Sequence, residues 1–406
     1  MMANMAITAD IVVVGLGAVG SAALYQAAKL GAHVVGIDRF TPPHDQGSSH
    51  GETRITRQAI GEGPEFVPLV LRSNQIWEEL EAATGRSLMS RNGCLVLATP
   101  ELAGRHHGSL FLRETIDAAK VFRIPHQTLS GGEIRNRFPQ FQLTGGEEGY
   151  FEPGAGFLRP ELCVETQLSE ARRRGAQVRT SEMVREVKAA GSAVEVITAK
   201  ETYSAAKVIL SVGPWIAPFL PPGWADHFVV YRQTLCWFAI ESNFERYTPE
   251  NFPVFIWITG TREQDMLYGF PAIDGPSGGM KVATERYEET VDPDNVPREV
   301  DPQSIVEMYE EYIAPRFADL SKRCLRTATC LYTVTPDAKF VIDSADASGN
   351  ILFASACSGH GFKHSPAVGE ALVRRALGMG DQLELSAFRL DRFISPVLRH
   401  TASSQT

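Results

Sequence analysis

Two arginines stand three residues apart in a segment rich in proline, glycine, serine and histidine. Arg54 and Arg57 lie within residues 41–63, whose composition predicts a long ordered loop. Long ordered loops in compact enzymes are usually functional. The planar guanidinium group suits the two oxygens of a carboxylate, so the pair could form a pocket for a small anion. The alternative is an exposed loop whose arginines are solvated.

A second chemical signal is the spacing of Gly15, Gly17 and Gly20, which follow a short apolar strand and open an alanine-rich helix. The first glycine permits a tight turn, the second lets a diphosphate approach the backbone, and the third lets helix and strand pack closely. The diphosphate then lies at the helix N-terminus, where free N–H groups favour negative charge. Asp38, 18 residues after Gly20, ends the next strand and can accept hydrogen bonds from ribose hydroxyls. The motif predicts a dinucleotide-binding βαβ unit and does not by itself separate FAD from NAD.

The apolar pattern predicts the elements that must position these residues. We predict strands at 10–14, 33–38, 92–98, 176–180, 183–188, 194–198, 207–212 and 350–356, and helices at 18–30, 66–85, 160–175 and 366–377. The βαβ signals occur at the start, the middle and the end of the chain. We therefore expect a dinucleotide-binding domain that a second domain interrupts twice.

Composition and charge limit the function classes. A chain of 406 residues is long for one core, and its net charge of −9 argues against nucleic acid as a partner. No stretch approaches the ~18–20 apolar residues of a membrane span, and the first ten residues lack a signal-peptide pattern. The six cysteines form no CxxC pair and no close cluster, which fits a reducing cytosol. His106 and His107 lack the spacing of a helical zinc site, and we expect no metal.

Four motifs together resemble one family. The segment Pro42-Pro43-His44, Gly47 to Arg57 and Gly61-Glu62-Gly63 is similar to a stretch in the FAD-dependent amine oxidases of the monomeric sarcosine oxidase and N-methyltryptophan oxidase family. The other three motifs are Tyr268-Gly269-Phe270-Pro271 with Lys281 ten residues later, Cys330-Leu331-Tyr332-Thr333 with Pro336-Asp337, and Ser358 to Lys363. The motifs keep the family's order and rough spacing from residue 10 to about 390.

The resemblance implies an α/β fold, with a Rossmann-like FAD-binding domain and an interleaved, mainly antiparallel-sheet substrate domain of α+β type. We assign residues 1–90, 147–222 and 325–395 to the discontinuous FAD-binding domain. Residues 91–146 and 223–324 are assigned to the substrate domain, and residues 396–406 to a flexible tail.

The resemblance also implies how FAD is bound. Cys330 matches the cysteine that bonds covalently to the flavin 8α-methyl carbon, although a single cysteine is more often a small buried hydrophobe. Arg54 would lie next to the flavin ring and stabilise the negative charge of reduced flavin. The candidate cofactor-binding residues are Gly15, Gly17, Ala18, Val19, Gly20, Asp38, Arg39, Ser48, Thr53, Arg54, Cys330, Gly359, His360, Gly361 and Lys363.

Lys281 matches the lysine thought to help oxygen react above the flavin, because a fixed positive charge stabilises the superoxide that forms. The alternative is a surface lysine. Tyr268 and Tyr332 match pocket-lining aromatics, whereas His50 and His360 could only order their turns. The candidate catalytic residues are Lys281, Arg54, His50, Tyr268 and Tyr332.

Arg57 and Lys363 match the pair that holds the substrate carboxylate, and two cations at a buried pocket demand an anion. Glu285 is a departure, since the family's sarcosine and N-methyltryptophan members have histidine four residues after the active-site lysine. A carboxylate there changes the charge of the pocket, so neither substrate can be assumed. Glu285 is a third candidate substrate-binding residue, and exposure of its side chain to solvent is the equal alternative.

These residues predict a FAD-dependent oxidase of a secondary amine, such as an N-methyl or N-alkyl amino acid. Hydride would pass from the carbon beside the neutral amine to flavin N5, O2 would reoxidise the flavin to give H2O2, and the imine would hydrolyse to an aldehyde or oxo acid plus an amine. The alternatives are a flavin dehydrogenase of a cyclic or primary amino acid, such as pipecolate or proline, and a non-catalytic dinucleotide-binding protein. We expect a cytoplasmic monomer that uses a small amine or amino acid and O2, with no nucleic acid or membrane partner.

Overall fold

The computed structural model describes residues 7–99, 105–106, 109–262 and 265–393. The chain divides into two compact units. The first comprises Met1–Pro42, Val164–Phe228 and Val334–Thr406, and the second comprises Pro43–Cys163 and Val229–Thr333. The predicted tail at 396–406 and His107 lie outside the described residues. Within the described residues, no helix is both long enough and apolar enough to cross a membrane.

Helices and strands are mixed along the whole chain. The α-helices of the described residues are α1 (Ala18–Lys29), α2 (Val67–Thr84), α3 (Phe111–Val121), α4 (Gly131–Arg137), α5 (Pro160–Arg173), α6 (Pro302–Glu307) and α7 (Ser365–Ala376). The strands are β1 (Ile7–Val14), β2 (Val34–Ile37), β3 (Arg54–Thr56), β4 (Met89–Ser90), β5 (Cys94–Ala98), β6 (Arg105–His106), β7 (Ser109–Leu110), β8 (Gln127–Ser130), β9 (Glu148–Glu152), β10 (Gly156–Leu158), β11 (Gln177–Arg179), β12 (Val184–Ala190), β13 (Ala193–Thr198), β14 (Thr202–Leu210), β15 (Val229–Ile240), β16 (Val254–Ile258), β17 (Met266–Phe270), β18 (Met280–Thr284), β19 (Leu320–Val334), β20 (Val341–Ser344) and β21 (Ile351–Ser355). Short 3₁₀ turns include Gly213–Trp215 and Phe362–His364, and a π-helical segment, Met308–Ile313, follows α6.

The first unit is built on a sheet whose centre is parallel. β1 pairs in parallel with β2 and β14, β2 pairs in parallel with β11, and β14 pairs in parallel with β21. Residues Ile11 to Val13 are fully buried, as expected for strands covered on both faces. Helix α1 packs against α7, where a Cβ added to Gly369 would lie 2.7 Å from the Cβ of Ala22. Glycine therefore permits this close approach of the two helices.

The second unit is built on a sheet in the order β19-β15-β18-β17-β16-β5-β9-β8. The β15–β18, β17–β18, β16–β17, β5–β9 and β8–β9 pairs are antiparallel, and the β16–β5 pair is parallel. Aromatic side chains such as Phe141, Phe255, Trp257 and Phe317 form the core beneath this sheet. The predicted α/β fold with a mainly antiparallel second sheet is confirmed.

The compact units divide the chain at other residues than the predicted domain boundaries. Residues 43–90, 147–163 and 325–333, which were expected in the FAD-binding domain, belong to the second unit, and residues 223–228 belong to the first. The physical reason is strand pairing, because β10 joins β3 and β4 in one small sheet while β9 pairs with β5. The assignment of FAD binding to particular segments stays a prediction.

Candidate active site

Lys281 is a buried lysine in the second unit. It lies on β18 opposite Phe270 of β17, and its side chain is only 2% exposed. Nζ donates hydrogen bonds to the carbonyl oxygens of Gly51 (2.7 Å) and Thr53 (2.9 Å) and to Thr53 Oγ1 (3.1 Å). Burial, followed by the charge of Arg54, holds the pKa of Lys281 well below its ordinary value. The alternative of a surface lysine is therefore wrong.

The loop backbone that accepts hydrogen bonds from Lys281 is also held by Glu161. This carboxylate, in the first turn of α5, accepts hydrogen bonds from Gly51 N (2.6 Å) and Glu52 N (3.1 Å). Gly51 and Glu52 adopt positive φ angles of 95° and 69°, so the chain turns sharply at this point. The Gly51 amide thus faces Glu161 while its carbonyl faces Lys281. Glu161 was not among the predicted residues, since no local pattern signals a contact with residues about 110 positions away.

Arg54 and His50 lie in the same loop. The Arg54 guanidinium donates to Ser48 O (2.8 Å), and Ser48 Oγ donates to Leu331 O (2.5 Å), next to Cys330. His50 is 5% exposed, and its Nε2 has no hydrogen-bond partner among the described residues. Burial, followed by the Arg54 charge, lowers the pKa of His50 to about 3. The imidazole is therefore neutral at physiological pH and cannot supply positive charge to the site.

Tyr268, Tyr332 and Glu285 are three further predicted site residues of the second unit. Tyr268 Oη and Tyr332 Oη lie 3.2 Å apart, and burial raises the pKa of both hydroxyls. The charges of Cys330 and Glu285 also raise the pKa values of both tyrosines. Tyr268 pairs with Ala283 of β18, two residues before Glu285. Glu285 is 5% exposed and accepts a hydrogen bond from the Tyr287 hydroxyl (2.5 Å). The solvent-exposed alternative for Glu285 is therefore wrong.

Arg57 is fully enclosed and already paired. It is 1% exposed, donates to Ala59 O, and forms a salt bridge with Glu62 (2.5 Å). Its guanidinium carbon lies 4.9 Å from the centroid of the Phe111 ring. Burial alone would lower the pKa of Arg57, but the charge and hydrogen bond of Glu62, together with the charges of Cys94 and Glu152, outweigh burial, and the pKa is raised. The alternative of a solvated surface loop is therefore wrong at Arg57. Any ligand carboxylate that binds Arg57 must compete with Glu62.

The glycine-rich turn of the first unit fits a diphosphate. Gly15 has a φ of 83°, and a Cβ on Gly20 would lie 1.7 Å from Gly15 O, so the turn closes only with glycine. Gly17 caps α1 without a side-chain hydrogen bond, and the first turn of α1 has no acidic residue. This helix N-terminus therefore suits an anion. Asp38 accepts a hydrogen bond from Leu16 N (2.7 Å), which places its carboxylate beside the turn.

Three further predicted cofactor residues lie close to this turn in sequence. Ala18 and Val19 begin α1, and Arg39 follows β2. The Arg39 guanidinium carbon lies 5.0 Å from the ring centroids of Phe40 and of Trp215. Arg39 is thus held by cation–π contacts in the first unit.

The remaining predicted cofactor-binding residues lie in the segment before α7. Gly359 has a φ of 81°, and a Cβ on Gly361 would lie 1.8 Å from the carbonyl oxygen of Ala356, so both positions need glycine. Lys363 is 5% exposed and donates to His360 O (2.9 Å). The His360 ring is held by Ala338 O (3.2 Å).

The predicted site residues are thus divided between the two units. The second unit brings together Ser48, His50, Thr53, Arg54, Tyr268, Lys281, Glu285, Cys330 and Tyr332. Arg57 belongs to the second unit and Lys363 to the first, and their joint action on one carboxylate stays a prediction. In the described part of the chain, no group of three or more His, Cys, Asp or Glu residues is placed to hold a metal ion.

The parallel sheet with a glycine turn at the start of α1 defines a dinucleotide-binding α/β protein. The family described as FAD dependent oxidoreductase matches residues 10–375. The chain belongs to that family, in the group that includes monomeric sarcosine oxidases and N-methyl-L-tryptophan oxidases.

Individual relatives are similar over nearly their whole length. The monomeric sarcosine oxidase of Streptomyces avermitilis is 37% identical over 374 residues, which cover 92% of this chain and 94% of the relative. The N-methyl-L-tryptophan oxidase of Yersinia pestis is 33% identical over 386 residues, covering 95% and 99%. The solved structure of NikD, an unusual amino acid oxidase essential for nikkomycin biosynthesis, has a TM-score of 0.80 at 21% identity, covering 94% and 97%, and supports the fold alone. The predicted family and the FAD-dependent oxidoreductase class are confirmed.

Proposed function

We propose that this protein is a FAD-dependent oxidase of secondary amines that acts on the CH–NH bond of an N-methyl or N-alkyl amino acid. When bound, FAD would supply the acceptor for a hydride at N5 and pass the electrons to O2, giving H2O2 and an imine that hydrolyses to an aldehyde or oxo acid plus an amine. The observation that carries the proposal is the buried Lys281, whose Nζ is fixed by Gly51 and Thr53, in a chain whose relatives are named for this chemistry. We further propose that the protein is a cytoplasmic monomer.

The residues present fit FAD in both units. In the first unit the uncapped N-terminus of α1 and the closed turn at Gly15 suit the diphosphate. In the second unit His50 Nε2 and Thr333 Oγ1 are buried atoms without a hydrogen-bond partner among the described residues. A buried polar atom without a partner needs an explanation, and a ligand that supplies the missing hydrogen bond is one. Cys330, three residues before Thr333 and 1% exposed, would hold the flavin through its 8α-methyl carbon.

Lys281 would stabilise negative charge as oxygen is reduced. A preorganised cation contributes most in a site that excludes water. Because its Nζ is fixed by Gly51 and Thr53, it needs no rearrangement when that charge develops. Neutral His50 cannot replace it, whereas Arg54 adds a second positive charge in the same loop.

The substrate would be held at both ends by charge. We assign its carboxylate to Arg57 and Lys363, and its amine to Glu285, whose buried carboxylate lies by the Tyr268–Tyr332 pair. An amino acid arrives as an ammonium ion, and its amine must be neutral when the hydride leaves. A carboxylate near the amine can attract the ammonium group and take up its proton.

Oxygen uptake and peroxide release test the oxidase reaction. We would compare sarcosine and other N-methyl amino acids with proline, pipecolate and glycine, and each N-methyl acid with its methyl ester. We expect peroxide in proportion to oxygen consumed, and an ester at least about 10²-fold poorer, because it loses the charge-assisted hydrogen bonds of the carboxylate to Arg57 and Lys363, which contribute about 1.5–3 kcal/mol each. Reduction of an artificial dye without oxygen uptake would establish the dehydrogenase alternative, and equal turnover of acid and ester would refute the carboxylate site.

Glu62 offers a matched control for Arg57. Arg57→Ala should raise the KM for the acid by a large factor. Glu62→Gln keeps the shape but removes the competing charge, so KM should fall or stay unchanged if Arg57 binds the substrate. If Arg57 serves only to neutralise Glu62, both variants should lose thermal stability and neither should change the preference for acid over ester.

A further inference from the structure

Two cysteines form a thiol pair on neighbouring strands of the second unit. Cys236 lies on β15 and Cys324 on β19, and the two strands are adjacent in the sheet. Glu241 N, just after β15, donates to Asp319 O, just before β19 (2.8 Å), and an antiparallel register continued from this bond places Cys236 opposite Cys324. Cys236 belongs to an apolar cluster against which Cys324 packs. Cys236 is 1% exposed, whereas Cys324 is partly exposed to solvent. The pair therefore joins a buried thiol to one that a small molecule can reach.

The surroundings of Cys324 favour its thiolate. The Cys236 thiol lowers the pKa of Cys324 to about 7, and backbone groups at Trp237 and Arg326 act in the same direction against partial burial. When protonated, Cys324 Sγ donates to Arg326 O (3.1 Å). The interaction between the two thiols, together with burial, raises the pKa of Cys236. Cys324 is thus the nucleophile of the pair, and Cys236 is the thiol that stays protonated.

We propose that Cys236 and Cys324 are a reversible oxidation site that hydrogen peroxide converts into an intramolecular disulfide. The Cys324 thiolate attacks one peroxide oxygen and becomes a sulfenic acid, while the O–O bond breaks and the second oxygen leaves as water after protonation. The Cys236 sulfur then attacks the sulfenic sulfur, and a second water leaves. Two thiols and one peroxide thereby give one disulfide and two waters. The peroxide can be added, so the site does not depend on the proposed oxidase activity.

The geometry suits a disulfide. Directly opposite residues of antiparallel strands have Cα atoms about 4.5–5.5 Å apart, which falls within the range that disulfides span, about 4.4–6.8 Å. Proximity, more than acidity, makes the site selective. At pH 7 a thiol of pKa about 7 is about 15-fold more ionised than one of pKa 8.5, but its lower intrinsic nucleophilicity leaves only about a threefold gain in rate.

The experiment is peptide mapping under non-reducing conditions. Reduced, desalted protein is treated with hydrogen peroxide in the absence of any amine, quenched with catalase and digested. Cys357→Ser is the matched control, because Cys357 is the other partly exposed cysteine of the six. We expect a cross-linked Cys236–Cys324 peptide in the wild type and in Cys357→Ser, which dithiothreitol separates again.

The single variants of the pair distinguish the two roles. In Cys324→Ser, Cys236 should stay reduced, and in Cys236→Ser, Cys324 should proceed to the sulfinic acid that dithiothreitol does not reverse. Because Cys236 is in the core, melting curves of Cys236→Ser and Cys236→Ala establish which variant is folded. Sulfinic acid on Cys324 of the wild type with Cys236 still reduced would overturn the proposal, as would a cross-link to any other cysteine or no oxidation at all.

Discussion

Replacement of Lys281 by methionine should slow the reoxidation of the flavin and leave its reduction by substrate nearly unchanged. Methionine keeps much of the length of the side chain and removes its charge. If one preorganised cation contributes about 3 kcal/mol to the reduction of oxygen, reoxidation should slow by about 10²-fold. We assign the negative charge that develops on the flavin during reduction to Arg54, so anaerobic bleaching by the amine should proceed at close to the wild-type rate.

The same substitution also removes three hydrogen bonds. Gly51 O, Thr53 O and Thr53 Oγ1 would lose a charged donor in a buried place, a loss in stability on the order of 3–5 kcal/mol. A disordered loop could therefore imitate a lost charge. Arg298→Met is the matched control, because Arg298 also donates to backbone carbonyls of this loop, at Asp45 (3.2 Å) and Gln46 (2.9 Å).

Stopped-flow absorbance measures both half-reactions, and melting curves measure both variants. We expect the reoxidation defect in Lys281→Met alone, with loop destabilisation in each variant. The pH profile provides a further check, since only the protonated lysine carries the charge. Burial and Arg54 lower the pKa of Lys281, so wild-type reoxidation should slow as pH rises through a value below about 10.4, and Lys281→Met should lack this step. Slow bleaching with normal reoxidation would refute the reasoning, as would an equal reoxidation defect in Arg298→Met.

Two further predictions concern single side chains. Cys330→Ala should release the flavin on acid precipitation, because Cys330 is the proposed attachment point, whereas the wild-type precipitate should stay yellow. Flavin that washes out of the denatured wild type would contradict covalent attachment. Glu285→Gln keeps the shape and removes the charge, so the KM for the amine should rise by about tenfold or more, since a hydrogen bond to a charged group contributes about 1.5–3 kcal/mol. Tyr287→Phe, which removes the donor to Glu285, should change KM less; an equal effect of the two substitutions would assign Glu285 to packing.

Local sequence patterns correctly predicted helices that are determined by interactions within one element. Helices α1, α2, α5 and α7 each begin and end within two residues of their predicted limits, because apolar spacing, proline in the first turn and terminal glycines act within one element. Strand β14 begins five residues before the predicted position 207. Its first half pairs with β13, and this contact supports strand structure in a segment that has no continuous apolar run.

Strand periodicity could have decided the position of Glu285. Side chains two and four residues apart along a strand lie on one face, so a strand that ran from Lys281 to Glu285 would place both side chains on the same face. β18 ends one residue earlier, at Thr284, and both side chains are buried. The salt bridge between Arg57 and Glu62 had a similar signal, because opposite charges five residues apart in one tight loop are close in space.

The geometry of the loop at residues 45–57 had no such signal. Its backbone is held by Glu161 from α5, by Lys281 from β18 and by Arg298 from the segment before α6, three side chains that are more than 100 residues away in sequence. Apart from the bond from Lys281 to Thr53 Oγ1, each contact joins a side chain to a backbone atom, so these contacts involve no loop side chain of complementary charge that would signal them. The motif can therefore be recognised from its amino-acid sequence, but its backbone conformation forms only when the second unit has folded around it. A loop fixed by three distant charges holds the Gly51 carbonyl in place before any ligand arrives, and such preorganisation is what a charge-stabilising site requires.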